Sequence, residues 1–412
     1  TGPHVQMRIP PPVRRWVTIS VALLAGVVIA FGSGVWADQS LPQYIPTLFQ
    51  PASSRGGLNS GELNQALRVI EANYYDTSLN YRQLTEGSIN GLVQALGDRF
   101  TRYLDPAEYR SLQNSLAGRQ TGVIGAYVAF ENGRPVISGL LPSSPALAAG
   151  LHAGDVVVTI DGHDTLNMSA DAARSLISGS PGTDVKLVVR RGTQSLDLTI
   201  SRQNFSSPTV ASSMLAGGVL YIRVYEFGNS TQAEFAAALK QSLPGATAMV
   251  LDLRDNGGGL VSAATAMISQ FVSSGEAFEL RGRSGTQIVS VKGSPQAAKI
   301  PLVVLVNGNT ASASEIVSGS LQRHGRAKLV GVKTFGKGSV QQDFTLGSGG
   351  DLHLTVEHWF LPGGISVDQR GLNPDTSVEL ARPADMFDVV EPSLGYTRDA
   401  QLEAALKVLA GT

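Results

Sequence analysis

The sequence of 412 residues predicts a multidomain α/β protein, and three observations lead to this fold class. After residue 205, apolar strands that end in glycine-rich loops alternate with amphipathic helices, as in a parallel sheet covered by helices. Short alternating strands with turn signals occupy residues 117–204, which predicts a β-rich domain with short helices. A helical segment and, before it, a long charge-free run precede this domain. The run predicts a membrane helix.

The composition excludes several functional classes. The formal net charge is −1 and no long basic block occurs, so nucleic acid is not an expected partner. The chain has no cysteine, which excludes disulfide frameworks, cysteine-based zinc sites and thiol nucleophiles. With 42% hydrophobic residues, the chain is long enough for two or three domains with hydrophobic cores.

Residues 1–37 are predicted to be a cytoplasmic tail and a membrane anchor. Two arginines, Arg14 and Arg15, precede the uncharged segment Trp16 to Ala37, whose 22 residues can cross a bilayer core of about 30 Å as a helix. The arginines favour a cytoplasmic N-terminus, which places the rest of the chain in the periplasm or at the cell exterior. A cleaved secretory signal is the alternative, because small residues end the segment at a workable cleavage position.

A proline-, glycine- and serine-rich linker is predicted over residues 38–60, and a helical region over 61–116. Ser60 is a candidate N-cap for the first helix. The apolar residues of the two helices recur at i, i+3, i+4 and i+7: Leu63, Ala66, Leu67 and Ile70 in the first, and Ile89, Leu92, Val93 and Leu96 in the second. Both are expected to be packing elements.

Residues 117–204 carry a recognisable set of turns: Ser144-Pro145-Ala146, Ala149-Gly150-Leu151, Gly154-Asp155 and Asp161-Gly162. This pattern resembles a PDZ domain; a small β-sandwich with a covering helix is the alternative. The resemblance implies that the domain binds the C-terminus of a peptide by strand addition. The implied binding residues are a carboxylate loop, Gly122, Val123, Ile124, Gly125 and Ala126, and a helix face, Ala173, Leu176 and Ile177.

The α/β core is predicted over residues 205–385, with strands at Val219–Val224 and Ala248–Leu253. A loop from Arg254 to Gly259 then opens a helix, and a glycine loop before a helix readily binds an anion. Two further buried strands lead to a polar loop with Ser312 and to a glycine-rich loop with Lys337. In a parallel sheet, these two side chains could meet.

A serine and a lysine that meet can perform nucleophilic catalysis. The serine hydroxyl needs a base, and a lysine serves only when neutral, which requires its pKa to fall by roughly three units, about 4 kcal/mol. Phe335 and the Gly-Lys-Gly backbone are expected to form a poorly hydrated site for Lys337. From residue types alone, the alternative is that Ser312 is an N-cap and Lys337 an ordinary surface lysine.

The segments NGNTASASEI and KTFGKGSVQ resemble the catalytic core of the carboxy-terminal processing proteases. The resemblance implies that Ser312 is the nucleophile, Lys337 the base and Gln341 its helper amide. The segment DLRDNGGG resembles the oxyanion loop of the family, which implies donors at the N–H groups of Gly258 and Ala313. No cofactor and no metal are implied.

Two other catalytic patterns are rejected. Gly331 to Gly338 reads G-x-x-x-x-G-K-G, but a phosphate-binding P-loop requires Ser or Thr directly after the lysine. A Ser-His-Asp site is not expected, because no Gly-x-Ser-x-Gly elbow occurs. His353 and His358 lie at an odd separation in a predicted strand, on opposite faces, and are expected to be structural.

The sequence therefore predicts a membrane-anchored, extracytoplasmic serine endopeptidase that cleaves proteins near their C-termini. Its PDZ domain would recognise the substrate tail, and a homodimer or a regulatory adaptor are further partners consistent with the family. A catalytically silent PDZ adaptor or scaffold on the membrane is the alternative. Residues 386–412 are predicted to be a C-terminal helical tail with an apolar face of Leu402, Ala405, Leu406 and Leu409.

Overall fold

A computed structural model describes residues 58–117, 119–392 and 395–411. The chain divides into two units, residues 1–79 and residues 80–412. The predicted anchor and nearly all of the predicted linker lie outside the described residues. Within the described part, no helix has the length and apolar character needed to cross a membrane.

The described part of the first unit contains one helix, α1 (Ser60–Asn73). Asn59 caps it rather than the predicted Ser60, because the Asn59 side chain accepts the Glu62 N–H at 3.1 Å. The helix forms where the apolar spacing predicted it, but it buries no residue in the described structure. Leu63 is 49% exposed there.

The second unit begins with α2 (Tyr81–Gln94), β1 (Arg102–Leu104) and α3 (Pro106–Leu116). Asp105 and Glu108 form a capping box at the start of α3, with proline as its first residue. In α2, only Val93 is buried, and the predicted position Leu96 lies beyond the end of the helix.

A β-rich domain follows, built from a six-stranded antiparallel sheet, a two-stranded antiparallel sheet and two short helices. Its elements are β2 (Arg119–Val123), β3 (Ala126–Glu131), β4 (Arg134–Leu140), α4 (Pro145–Ala148), β5 (Val156–Ile160), β6 (His163–Asp164), α5 (Ala170–Ile177), β7 (Asp184–Arg191), β8 (Gln194–Ser201) and β9 (Gln203–Ser206). The sheet has the order β3-β4-β5-β7-β8, and β2 pairs with β9 beside it. The Ser169 hydroxyl caps α5 by accepting the Ala172 N–H. The turns that resemble those of a PDZ domain thus lie on a β-rich domain with its own apolar core.

The rest of the unit is an α/β core. Its elements are β10 (Val210–Leu215), β11 (Val219–Val224), α6 (Thr231–Ser242), β12 (Ala248–Asp252), α7 (Val261–Ile268), β13 (Glu276–Gly282), β14 (Gly285–Ser290), β15 (Leu302–Val306), α8 (Ala313–Arg323), β16 (Lys328–Gly331), β17 (Ser339–Thr345), β18 (Asp351–Phe360), β19 (Thr376–Ser377) and α9 (Ala400–Ala410). The main sheet has the order β10-β11-β12-β15-β16-β19, and its strands are parallel from β11 onward. Every residue of β12 and β15 is buried, as their continuous apolar sequences predict.

A second, antiparallel sheet lies in the same unit and was not predicted as a sheet. Its strands follow the order β1-β18-β13-β14. Strand β17 also pairs with β18, as a third neighbour of that long strand. The pairing of β1 with β18 brings residues 102–104, from before the β-rich domain, into the core. His353 lies in β18 and its Nδ1 contacts Asp343 Oδ1 at 2.7 Å.

Candidate active site

The loop that carries Ser312 is fixed by hydrogen bonds to the neighbouring loop after β12. The Thr310 hydroxyl donates to the Leu253 carbonyl at 2.8 Å, and the Ala311 N–H donates to the Asn256 carbonyl at 3.1 Å. Helix α8 begins directly after Ser312. The candidate nucleophile therefore lies at a helix N-terminus and against the glycine loop, as the sequence predicts.

Ser312 has a strained backbone. Its φ is 55° and its ψ is −118°, a conformation that residues with a side chain rarely adopt. Such strain costs about 1–3 kcal/mol and is found at functional sites, where the surroundings hold it. Here the Ser312 N–H donates to Glu315 Oε2 at 2.9 Å, and its carbonyl accepts the Ile316 N–H at 2.9 Å. These bonds present the partly exposed side chain at the turn between β15 and α8.

Glu315 joins the serine loop to the lysine loop. Its Oε2 accepts the N–H groups of Ser312 and Lys337, each at 2.9 Å. Its Oε1 accepts the Gly336 N–H at 2.8 Å and the Thr334 hydroxyl at 2.5 Å. The carboxylate is fully buried and is stabilised by these four donors. Because one oxygen holds both N–H groups, the backbones of residues 312 and 337 are neighbours.

The Lys337 side chain lies in a partly buried site. Its Nζ is 4.9 Å from the centre of the Phe100 ring, and its carbonyl accepts the Trp359 indole N–H at 2.9 Å. Burial lowers the pKa of the amine, and the Arg102 guanidinium lowers it further, whereas the Asp98 carboxylate raises it. No hydrogen bond in the described structure joins Nζ to the Ser312 hydroxyl.

Phe335 does not form the predicted wall around Lys337. It is 48% exposed, and its ring faces the Arg99 guanidinium at 5.6 Å. Phe100 supplies the aromatic contact instead. Sequence reasoning missed Phe100 because it precedes the β-rich domain and reaches the core only through the pairing of β1 with β18.

Gln341 lies on β17 and bonds to neighbours other than the lysine. Its Nε2 donates to the Ser339 hydroxyl at 2.9 Å and to the Thr355 hydroxyl at 3.0 Å. Thr355 in turn donates its N–H to the Thr101 hydroxyl at 3.0 Å. The amide thus belongs to the hydrogen-bond network under the lysine loop, and its direct assistance of Lys337 stays a prediction.

The two predicted oxyanion donors differ in their surroundings. The Ala313 N–H has no hydrogen-bond acceptor among the described residues. The Gly258 N–H donates to Asn256 Oδ1 at 2.9 Å, so it is engaged in this structure. Gly258 nevertheless packs against the nucleophile, since a Cβ at Gly258 would lie 2.8 Å from the Cβ of Ser312. Its φ of 106° requires glycine.

A buried ionic cluster anchors the start of the glycine loop. The Arg254 guanidinium donates to Asp252 Oδ2 at 2.6 Å and to Asp399 Oδ2 at 2.9 Å, and all three side chains are excluded from solvent. Asp399 also caps α9 by accepting the Leu402 N–H. The charged residues after a buried strand were a sequence signal for this cluster. No local pattern indicated that Asp399, 145 residues from Arg254, completes it.

The predicted peptide-binding residues surround a cavity of about 640 Å³. Six of the eight line it: Val123, Ile124, Gly125, Ala126, Ala173 and Ile177. Gly122 and Leu176 do not. Gly122 contacts the loop after α5, where its carbonyl accepts the Gly179 N–H at 3.0 Å, and the Leu176 carbonyl accepts from Arg202 at 2.7 Å.

The opposite wall of this cavity belongs to the α/β core. Tyr225, Glu226, Asp255, Gly257 and Gly258 line it. One continuous cavity therefore joins the groove of the β-rich domain to the glycine loop beside Ser312. No group of three or more His, Cys, Asp or Glu side chains in the described residues is arranged to hold a metal ion.

Comparisons with known proteins agree with this architecture. Residues 218–378 match the profile of Peptidase family S41, and residues 136–191 match that of a PDZ domain. The carboxy-terminal processing protease CtpA of Bacillus subtilis is 32% identical over 336 residues, which cover 81% of this chain and 72% of the relative. The carboxyl-terminal-processing protease of Synechocystis is 35% identical over 352 residues, 83% of this chain and 81% of the relative.

A solved structure shares the fold. The photosystem II D1 C-terminal processing protease is 28% identical, with a TM-score of 0.53, over 79% of this chain and 95% of that chain. With two matched domains and relatives above 30% identity over most of their length, the chain belongs to the carboxy-terminal processing proteases, the serine peptidases of family S41 that carry a PDZ domain.

Proposed function

We propose that the chain is an endopeptidase that uses Ser312 and Lys337 to cleave extracytoplasmic proteins near their C-termini. The observation that carries the proposal is the common attachment of both residues to Glu315. One buried carboxylate holds the backbones of the proposed nucleophile and the proposed base side by side, and the reaction requires Lys337 Nζ to contact Ser312 Oγ.

The reaction proceeds in two acyl-transfer steps. Ser312 Oγ attacks the scissile carbonyl carbon while Lys337 Nζ takes its proton, and the oxyanion that forms accepts the Ala313 N–H. Lys337 returns the proton to the leaving amine, which departs with the C-terminal fragment. Water then attacks the acyl-enzyme, again with Lys337 as base, and releases the new C-terminus. Gln341 keeps Lys337 oriented through the network on β17.

The PDZ domain selects the substrate by its tail. The carboxylate loop at residues 122–126 and the face of α5 would hold the C-terminus by strand addition. The cavity between this groove and the glycine loop supports the idea that the tail runs directly toward Ser312. A substrate bound in this way is cut a short distance from its end.

The chain acts outside the cytoplasm in this proposal. Residues 1–37 provide a tail and an anchor, 38–60 a linker, 61–116 a helical region, 117–204 the PDZ domain, 205–385 the protease core and 386–412 the helical tail. The support for the anchor is the uncharged segment Trp16 to Ala37 behind two arginines. If this segment is instead cleaved as a secretory signal, the rest of the chain would still act outside the cytoplasm.

The full chain, incubated with a protein that ends in an apolar tail, tests the proposal. Cleavage near the tail is expected for the wild type and is expected to be lost in Ser312→Ala and Lys337→Ala. Lys333→Ala is the matched control, because Lys333 is an exposed lysine on the same loop. If Ser312→Ala cleaves as fast as the wild type, the assignment is wrong. Tail binding without turnover in the wild type would favour the adaptor function.

A further inference from the structure

The wall between the PDZ groove and the glycine loop contains an acidic side chain that the proposed reaction does not use. Glu226 follows β11 and lines the cavity together with Tyr225. The next residue, Phe227, donates its N–H to the Gly258 carbonyl at 2.9 Å, so Glu226 lies one residue from the loop beside Ser312. A peptide that extends from Ser312 toward the PDZ groove passes this wall.

The Glu226 carboxylate has no cationic partner. No ion pair found among the described residues includes it, and its hydrogen-bond partner is the Ser115 hydroxyl at 3.5 Å. Burial raises the pKa of Glu226, and the Glu234 carboxylate raises it further, against the hydrogen bond from Ser115. A half-buried carboxylate without a counter-ion is unfavourable, and a cation in the cavity would stabilise it.

Besides Glu226, the charged residues that line the cavity are Asp255 on this wall and Arg174 on α5, which lies 4.0 Å from Asp171. Asp255 Oδ1 accepts the side-chain amides of Asn307 and Asn309, each at 2.8 Å. Arg223 stacks on Tyr225 at 5.2 Å and approaches Asp255 at 4.0 Å. Neither Arg174 nor Arg223 forms an ion pair with Glu226 in the described structure, so the carboxylate can pair with a cation inside the cavity.

Tyr225 gives a second, independent sign of a missing ligand. It is 7% exposed, and its hydroxyl has no hydrogen-bond partner in the described structure. Buried polar groups are normally paired, and an unpaired one is destabilising. Tyr225 lines the same cavity as Glu226. A peptide in the cavity would supply partners for both side chains.

We propose that Glu226 determines specificity by binding a lysine or arginine side chain of the substrate, at a tail position between the cleaved bond and the PDZ groove. The inference rests on the proposed function for the direction of the peptide. Peptide groups bind the Tyr225 hydroxyl beside it, and the basic side chain pairs with the Glu226 carboxylate. The preferred substrates are therefore apolar tails that contain one basic residue upstream of the terminus.

Two sets of fluorescent peptides, with lysine or glutamine placed at each tail position in turn, test this inference with the full chain. At one or two adjacent positions, the wild type is expected to cleave the lysine peptide with about tenfold higher kcat/KM than the glutamine peptide. Glu226→Gln is expected to abolish this ratio. Asp197→Asn, which removes an exposed carboxylate from β8 outside the cavity, is expected to keep it.

A binding measurement separates this inference from the proposed function. Fluorescence anisotropy on Ser312→Ala should show the same preference for lysine peptides, and Ser312→Ala combined with Glu226→Gln should not. If the wild type cleaves both peptides equally at every position, or Glu226→Gln keeps the ratio, the inference is overturned while the protease assignment stands. A lysine preference in binding without any cleavage would support Glu226 and overturn the proposed function.

Discussion

Replacing Glu315 with glutamine tests whether one buried carboxylate aligns both halves of the site. Its Oε2 accepts the N–H groups of Ser312 and Lys337, and its Oε1 accepts the Gly336 N–H and the Thr334 hydroxyl. Glutamine has nearly the same shape, but one of its two terminal atoms is a donor. Whichever oxygen is replaced, an NH₂ group then faces two donors.

The structure sets the size of the effect. A hydrogen bond to a charged acceptor contributes about 1.5–3 kcal/mol, so the loss of two lowers the free energy of unfolding by about 3–6 kcal/mol. Urea unfolding followed by intrinsic fluorescence measures this loss. The rate at which a small acylating reagent labels Ser312, corrected for the folded fraction, measures alignment, and we expect it to fall at least tenfold because the strained backbone of Ser312 loses its support.

Glu234→Gln is the matched control. Glu234 Oε2 accepts the Thr209 N–H at 2.6 Å, the Thr209 hydroxyl at 2.9 Å and the Val210 N–H at 3.1 Å. Because all three donors meet one oxygen, the glutamine can keep its own oxygen there, and the variant loses only the charge. It should lose less stability and keep the labelling rate. A Glu315→Gln protein with wild-type unfolding and labelling would refute the reasoning.

Three further substitutions have defined outcomes. Gly258→Ala forces a side chain onto φ 106° and against the serine loop, which should cost about 1–3 kcal/mol and reduce Ser312 labelling. Arg254→Met leaves Asp252 and Asp399 buried without their partner, which should lower the free energy of unfolding by about 3–5 kcal/mol in urea titrations. Ala173→Trp fills the PDZ groove and should weaken cleavage of tailed substrates far more than labelling of Ser312.

Each of these has a control in the chain. Gly285→Ala imposes a similar φ of 107° in open space, and should leave labelling unchanged. Arg281→Met removes a partly exposed ion pair and should cost less than about 1 kcal/mol. Ala172→Trp places the ring on the exposed side of α5 and should leave tail cleavage unchanged. Equal effects in a variant and its control would contradict the corresponding prediction.

The sequence predicted the parts of the site that have local signals. The apolar runs of β12 and β15 and the loops after them are continuous in sequence, so strand, loop and helix followed from periodicity. The positions of Ser312 and Lys337 at adjacent strand ends followed from the parallel sheet. No local pattern predicted that Glu315, the third residue of α8, is buried. Its four hydrogen-bond donors come from both the serine loop and the lysine loop.

Long-range contacts account for the rest. Phe100 contacts Lys337, and Asp399 contacts Arg254, from segments that are far away in the sequence. The engagement of the Gly258 N–H by Asn256 depends on a side-chain orientation that residue types do not reveal. The apolar periodicity around Leu63 predicted the helix α1, but it did not show that the apolar face of this helix is exposed to solvent.

The pH dependence of Ser312 labelling tests the central claim, that Lys337 is the base, most directly. Because only the neutral amine accepts the proton, the rate should rise with pH to a plateau, with a midpoint below the ordinary lysine pKa of about 10.4. Arg102→Gln removes a cation that lowers the pKa, so its midpoint should move to higher pH. Lys337→Met should abolish the rise together with most of the rate. A Lys337→Met protein with the wild-type profile would contradict the account.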